Sequence, residues 1–351
     1  MKTFLSGRIF LILIIIVSIF VVYFFMNRSS RPSEISREVV DSLKRAAPTV
    51  SKEEDDFLRL LEQNAVSGGP GKDGIPAIEK PQYTTAFEGN KWLQPNDIVF
   101  GVDYSDFVAA YPQRILVWHE IANETLRHDS GQAEKVAITY CPLTGTAIGF
   151  KGAIVESISS TFGVSGKLVN SNLIMYDRAS DSYWPQILGK AINGAAYGRA
   201  LEEFPIVWTT WERWKKKYPN TKVLSRETGF VRNYNENGDP YGSYIRDDKG
   251  YYGSDSVLFH PINENKILAP KTVVVGIRDE KRNAVAILKE SLRRQKTIET
   301  KLGEKTIVVT YDPDLDFHKV HIKENPEEII NSFDAMWFAW VAFYPDTKLV
   351  Q

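Results

Sequence analysis

Cysteine is almost absent from this chain of 351 residues, which contains only Cys141. A single thiol excludes an intrachain disulfide framework, a cysteine-rich zinc module and a multi-cysteine iron–sulfur cluster. An excess of charge of one sign is also lacking, since 43 Lys and Arg residues are balanced by 44 Asp and Glu residues. Without an overall positive charge the chain lacks the attraction to phosphate that nucleic-acid-binding proteins use, so no nucleic acid partner is expected.

A phosphate-binding loop of the Gly-Lys-Ser/Thr type is missing as well, so the sequence does not support a P-loop nucleotide site, and the cofactor stays unknown. What is present is the composition of an ordinary folded protein, with 43% hydrophobic and 25% charged residues. This composition excludes a disordered, collagen-like or coiled-coil chain. The length suits one large domain or two moderate ones, at roughly 100–200 residues per domain.

The longest hydrophobic run is Ile9–Met26, which contains no charged residue. At a rise of about 1.5 Å per residue it is just long enough to cross the hydrocarbon core of a bilayer. A cleaved signal peptide is the alternative, but its apolar region would be shorter and would end in a small-x-small site, which this run lacks. We predict a single-pass transmembrane anchor over residues 9–26, a cytoplasmic N-terminus over residues 1–8, and a C-terminal domain outside the cytoplasm. The membrane is thus a predicted partner.

Residues 27–73 are predicted to form a tether with short helices. The apolar spacing suits two helical segments broken at Pro48, and the second begins at a capping box formed by Ser51 and Glu54. The glycine-rich stretch at the end of the tether marks a boundary, so a single large domain is predicted over residues 74–351.

Within this domain, strand-like runs mix with short helical patterns at Pro112–Glu120 and Thr209–Tyr218. Three pairs of stretches are also similar and occur in the same order. They are Asn90–Val102 with Asn265–Ile277, Val136–Pro142 with Thr306–Pro313, and Trp211–Leu224 with Trp337–Val350. The predicted fold class is therefore α+β, a β-rich duplicated domain behind an N-terminal transmembrane helix. Its two pseudo-symmetric halves would span about 90–224 and about 265–350.

Five motifs follow one another along the chain, namely Trp118–Asn123, Thr139–Ala147, Phe162–Gly166, Asn172–Arg178 and Ser182–Gln186. Together they resemble the uncharacterised DUF3179 family, over about Gly74 to Lys348. The ordered set is specific, whereas any single motif is weak evidence. Because the family has no established activity, the resemblance implies a fold more than a function.

A candidate catalytic site is predicted around Cys141, which follows a strand-like run and precedes a proline. A neighbouring imidazole would lower the pKa of the thiol and create the nucleophilic thiolate. His119 is the natural partner, with Glu120 or Asp177 to orient it. The alternative is that Cys141 is a small buried apolar residue, since free cysteine is among the most buried residue types.

A metal site is the second hypothesis. Cys141, His119 and His260 would supply thiolate and imidazole ligands, and Met175 would supply a weak fourth ligand, a set typical of copper. Nothing in the spacing of these residues requires a metal. The remaining pair of histidines, His318 and His321, lies in a charged segment of the kind expected on a solvated surface.

Two functions of different classes remain open, and whether the chain is an enzyme stays uncertain. The first is a membrane-anchored extracytoplasmic protein of unknown activity with a thiol–imidazole site. The second is a non-catalytic binding or scaffold module with Cys141 buried, or a copper-type metal-binding protein. A small molecule or a metal would be the ligand, and a protein partner stays unknown.

Overall fold

The computed structural model describes residues 36–127, 131, 133–155, 158–235, 237–242 and 250–351. The predicted N-terminus over residues 1–8 and the predicted anchor Ile9–Met26 lie outside them. Among the described residues, no helix is long and apolar enough to cross a membrane. The longest of these helices has 12 residues, a length of about 18 Å against the roughly 30 Å of a bilayer core. We therefore do not retain the single-pass membrane localisation.

Helices are short throughout the described part of the chain. They are α1 Arg37–Arg45, α2 Lys52–Gln63, α3 Ala86–Gly89, α4 Gln113–Leu116, α5 Trp211–Lys217, α6 Gly250–Gly253, α7 Lys289–Gln295 and α8 Trp337–Phe343. The break between α1 and α2 contains Pro48, and the backbone N–H of Glu54 donates to the Ser51 hydroxyl over 3.2 Å. Ser51 therefore caps α2 as predicted, but the reciprocal half of the capping box is not formed, because the Glu54 carboxylate pairs with Lys190.

Strands account for most of the regular structure. They are β1 Val66–Ser67, β2 Tyr83–Thr85, β3 Ile98–Tyr104, β4 Phe107–Pro112, β5 Ile121–Arg127, β6 Ala133–Cys141, β7 Thr146–Lys151, β8 Ala153–Val155, β9 Ile158–Ser159, β10 Phe162–Val169, β11 Asn172–Asp177, β12 Tyr183–Pro185, β13 Glu203–Phe204, β14 Val207–Thr210, β15 Lys222–Leu224, β16 Val273–Arg278, β17 Ala284–Leu288, β18 Thr297–Leu302, β19 Lys305–Asp312, β20 Phe317–Ile322, β21 Asn325–Ile329, β22 Ser332–Met336 and β23 Lys348–Val350.

The predicted fold class, an α+β domain of two pseudo-symmetric halves behind a transmembrane helix, is wrong. In the described part of the chain, five sheets form a β-rich, propeller-like arrangement of five blades, accompanied by the two-stranded sheet β8-β9. The orders are β1-β10-β11-β12, β13-β7-β6-β5, β14-β3-β4-β15-β2, β22-β16-β17-β23 and β18-β19-β20-β21. Two physical reasons explain the error. Part of each predicted helical run is extended strand, and residues 162–185 form strands of a separate sheet that a division into two halves does not accommodate.

Two of the sheets share a local strand pattern. In the first, which we call the Gly101 sheet, β3 pairs antiparallel with β4 and β14, and β4 pairs parallel with β15. In the second, the Gly276 sheet, β16 pairs antiparallel with β17 and β22, and β17 pairs parallel with β23. A Cβ atom at Gly101 would lie 2.2 Å from the ring of Trp214, and one at Gly276 would lie 2.2 Å from the ring of Trp340. Glycine is required at both positions because an indole ring lies against the strand backbone.

The largest apolar core lies behind the predicted site. It contains Cys141 together with side chains from α1, α2, β10, β11 and α8. Leu43 and Leu58, one from each of the first two helices, are fully buried in it. Residues 37–63 are therefore packed onto the body of the protein, and Cys141 is embedded in the same core.

Candidate functional site

The predicted site residues His119 and Glu120 lie in a sharp turn between α4 and β5. The Glu120 N–H donates to the carbonyl of Leu116 over 2.7 Å, and the Ile121 N–H donates to the carbonyl of His119 over 2.6 Å. Glu120 has a φ of +58°, in the left-handed region that non-glycine residues seldom adopt. The two adjacent side chains contact different groups, as the following distances show.

His119 is fully buried and uses both ring nitrogens. Nδ1 lies 2.7 Å from the carbonyl oxygen of Pro76, which can only accept, so Nδ1 carries the hydrogen. Nε2 lies 2.6 Å from the hydroxyl of Tyr234 and accepts from it. The pKa of His119 is lowered to about 4. Burial is the main cause, the positive charge of Arg232 acts in the same direction, and the bond to Pro76 opposes both. The imidazole is thus neutral and committed to partners other than a thiol.

Cys141, at the end of β6, is also sealed from solvent, with 1% of its surface exposed. Its thiol donates to the carbonyl of Ser171 over 3.7 Å and accepts from the N–H of Leu173 over 3.4 Å. The pKa of the thiol is raised to about 11, mainly by burial and to a smaller extent by the negative charge of the Glu120 carboxylate. A thiol in this environment stays protonated at neutral pH and is not accessible to solvent.

Glu120, predicted only as an orienting residue, is the titratable group whose charge acts on Cys141. Its side chain is nearly fully buried, and burial raises its pKa to about 8. The same carboxylate contributes to raising the pKa of Tyr241, after the larger effect of burial. The structure thus places Glu120 near the thiol, whereas the hydrogen bonds of His119 lead to Pro76 and Tyr234.

Asp177 belongs to a separate hydrogen-bond network in the turn between β11 and β12. Oδ1 accepts from the N–H groups of Ala179 and Ser180 over 3.1 and 2.6 Å. Oδ2 accepts from the Ser180 hydroxyl, from the N–H of Ser182 and from the indole of Trp184, over 2.8, 3.2 and 3.0 Å. Five bonds to one carboxylate hold this turn, which leaves Asp177 no bond to His119.

The predicted metal ligands are not assembled either. His260 has a side chain that is 86% exposed, and its Nδ1 lies 3.9 Å from Glu264. Met175 is fully buried in the core. Within the described ranges no group of three or more His, Cys, Asp and Glu side chains is placed to hold a metal ion. The three predicted ligands Cys141, His119 and His260 therefore do not form a site there.

The feature that the sequence analysis missed is the segment held by Trp118 and His119. We call residues 225–235 the wall segment. The indole Nε1 of Trp118 donates to the carbonyl of Asn233 over 3.1 Å and to that of Gly238 over 3.1 Å. The Tyr234 hydroxyl, bonded to His119, also lies 2.7 Å from the hydroxyl of Thr228. Trp118 and the predicted site residue His119 thus hold a surface segment that lies more than a hundred positions away along the chain.

An open groove with a volume of about 580 Å³ runs beside the wall segment. Trp92 and Lys91 line it from one side, and Arg226, Phe230 and Arg232 line it from the wall segment. The sequence offers one signal for this surface, the apolar pair Phe230 and Val231 within a stretch otherwise rich in polar residues and glycine. Without knowing which element packs beneath the pair, that signal does not distinguish a surface from a core.

Comparison with known proteins gives one match. The model of the family described as "Protein of unknown function (DUF3179)" matches residues 72–347. No curated protein matches the chain, and no solved structure does. The resemblance inferred from the ordered motifs is confirmed by this match over most of the chain.

Proposed function

The chain belongs to the DUF3179 family of proteins of unknown function, and we propose that it is a non-catalytic binding module whose ligand is received in the groove beside the wall segment. The observation that carries this proposal is the state of the only thiol. Cys141 is buried, protonated and bonded on both sides to the β10–β11 connection and β11. A chain that kept this residue for nucleophilic chemistry would need it accessible and ionised.

The use of Trp118 and His119 supports the same proposal. The two indole contacts go to Asn233 and Gly238, and one imidazole nitrogen goes to Tyr234. The half-buried Trp118 and the buried His119 thus stabilise a surface segment and activate no nucleophile. Their arrangement suits a preformed binding surface, which loses less conformational entropy when a ligand binds.

Two competing proposals have weaker support. A thiol–imidazole site requires His119 to share a proton with Cys141, but both of its nitrogens have other partners. A copper-type site requires three ligands together, and His260 is exposed while Cys141 is in the core. Both proposals would have to begin with a rearrangement of a close-packed core.

Thiol labelling tests the proposal. The native full-length chain is exposed to a small alkylating reagent across a range of pH, and incorporation is counted by mass. We expect no incorporation into the native protein and one label after denaturation, because Cys141 is the only cysteine. Val231→Cys is the positive control, since Val231 is 95% exposed, and it should take up one label in the native state.

The competing proposals give different results in the same experiment. Native labelling of the unmodified chain that speeds up with pH below about 8 would show an ionised, accessible thiol and refute the binding-module proposal. Copper binding that is stoichiometric, and that is lost in both Cys141→Ser and His119→Asn, would refute it in favour of a metal site.

A further inference from the structure

We infer that the groove binds an acidic, extended segment of a partner protein, an inference that rests on the binding role proposed above. Three features of the groove support this inference, namely its charges, its exposed apolar side chains and its rigid wall.

The charges in the groove are not balanced. Lys91 is paired with Glu88 over 2.7 Å, so these two side chains neutralise each other. Arg226 and Arg232 have no acidic partner among the described residues, and Glu227 is the acid that remains in the lining. The lining therefore has two guanidinium groups without an acidic partner and one such carboxylate, an excess of positive charge. Guanidinium groups bind carboxylates through two parallel hydrogen bonds, which favours an acidic ligand with more than one carboxylate.

The apolar side chains of the groove are those found at protein interfaces. Phe230 is 40% exposed and Val231 is 95% exposed. The guanidinium of Arg226 lies over the ring of Trp92, 5.2 Å from its centre. Aromatic residues and arginine are enriched in protein–protein interfaces and dominate their binding energy. An open surface of this composition suits the alternating side chains of an extended peptide more than a small molecule, which would need enclosure.

The wall segment is held in place by hydrogen bonds and ring contacts to side chains of the body of the protein. Tyr234 is bonded to His119 and Thr228, and the ring of Phe230 packs against the imidazole with centroids 5.4 Å apart. Trp118 holds the backbone at Asn233. Because these contacts order the segment before a ligand arrives, binding would cost little additional ordering. His119 and Trp118 are thus positioning residues for this surface.

The test measures binding of fluorescein-labelled decapeptides to the full-length chain by fluorescence anisotropy. The first peptide alternates Glu with Leu and Phe, the second replaces each Glu by Gln, and the third replaces each Glu by Lys. We expect the acidic peptide to bind, the other two not to bind, and affinity to fall as salt is raised. The double variant Arg226→Gln and Arg232→Gln should weaken binding about tenfold or more, which is about 1.4 kcal/mol.

A matched control removes two exposed positive charges outside the groove, through Lys281→Gln and Lys319→Gln. We expect it to bind the acidic peptide as the unmodified chain does. Equal weakening in both double variants would mean a non-specific charge effect and would overturn the inference. So would the absence of binding by the acidic peptide, and in that case binding of benzoate, measured by calorimetry, would indicate a small-molecule groove.

These failures are distinguishable from a failure of the proposed function. If Cys141 stays unreactive while no peptide binds, the inert thiol stands and only the acidic partner is refuted. If Cys141 is labelled in the native chain, the binding-module proposal fails whatever the peptides do.

Discussion

The Gly101 sheet and the Gly276 sheet share one packing arrangement, in which an indole ring lies against a glycine of a central strand. In the first, the indole of Trp214 lies against Gly101 and donates to Thr221 over 3.0 Å. In the second, the indole of Trp340 lies against Gly276 and donates to a threonine over 2.9 Å. Both sheets need a glycine at this position, so a difference in stability between the two regions must come from the side chains around the glycine–tryptophan contact.

The polar residues that begin α4 and α7 show that difference. Gln113 begins α4 and donates to Asp239 over 2.7 Å and to Tyr140 over 3.3 Å. Lys289 begins α7 and forms a buried ion pair with Asp334. One region is therefore held by neutral donors, while the other depends on an ion pair with little solvent. The same backbone pattern can thus carry different electrostatics.

The largest expected effect breaks the buried ion pair. Lys289→Met leaves Asp334 buried without its partner, and we expect a loss of about 3–5 kcal/mol in the free energy of unfolding. Gln113→Met removes donors but no charge, so we expect a loss of about 1–2 kcal/mol. Urea unfolding of both variants measures the difference. Equal losses would contradict the distinction drawn between the two regions.

The next effect tests what the two sheets share. Gly101→Ala and Gly276→Ala would each place a Cβ against a tryptophan ring, and overpacking of this kind costs about 3 kcal/mol. Thermal and urea unfolding should show similar losses in the two variants. Gly71→Ala is the control, because a Cβ there would meet no atom within 4 Å. A small loss in either sheet would show that its tryptophan can move aside.

Stability should also depend on pH in a way that separates buried acids from buried histidines. Burial raises the pKa of Glu120 to about 8, so its contribution to stability is complete below its usual value of 4.5 and is lost as pH rises to about 8. Burial lowers the pKa of His318 to about 4, so its contribution is complete above its usual value of 6.5 and is lost as pH falls to about 4. The two effects oppose each other between pH 4.5 and 6.5.

Above pH 6.5 only the acids titrate in this comparison. We expect Glu120 by itself to lower the free energy of unfolding by about 2 kcal/mol between pH 6.5 and 8, since one proton per unit of pH corresponds to roughly 1.4 kcal/mol. Glu120→Gln should flatten this part of the profile. Glu124, whose pKa burial also raises to about 8, should keep some of the slope. A profile that is unchanged in Glu120→Gln would show that this carboxyl group is ionised in the native state.

The smallest effect concerns the acceptors of the two indoles. Thr221→Val and Thr347→Val each remove the hydroxyl that accepts from a tryptophan, and we expect each to cost about 1 kcal/mol. Thermal unfolding of the two variants sharpens the comparison between the sheets. A loss confined to one variant would mean that the shared hydrogen bond has unequal weight.

Part of this fold was visible in the sequence. The equal spacing of glycine, tryptophan and threonine in the paired stretches predicted two pseudo-symmetric halves, which is wrong, although the glycine–tryptophan contact within these stretches does recur. The number and grouping of sheets were not predictable, because the pairing of β3 with β14 joins residues more than a hundred positions apart. Local periodicity indicates that a strand exists, and tertiary packing decides its neighbours.

The motif Phe162–Gly166 shows a similar limit. Gly163 is needed because a Cβ there would lie 2.4 Å from the ring of Tyr176. Gly166 has a φ of +74° at a bulge in β10 and lies against the backbone of Pro70 and Gly71. The sequence shows both glycines, but the reason for each lies in a segment elsewhere in the chain.

The sequence predicted that His119 pairs with Cys141, whereas both imidazole nitrogens bond to other groups in the structure. His119 and Glu120 are adjacent, but their side chains have different surroundings, and Glu120 has a left-handed backbone conformation. No glycine or proline next to Glu120 indicates this conformation in the sequence. The burial of Cys141 likewise depends on Ser171 and Leu173, from the β10–β11 connection and β11. Neither contact has a local signal in the sequence.

The most direct test of the central claim, that Cys141 is sealed in the core and serves no chemistry, is its labelling rate at increasing urea. Under conditions where reclosing is faster than labelling, the rate gives the free energy of the opening that exposes the thiol. We predict that this free energy and its dependence on urea equal those of global unfolding. An opening free energy far below that of global unfolding, with little dependence on urea, would contradict the account, because it would show a local motion that brings the thiol to the surface.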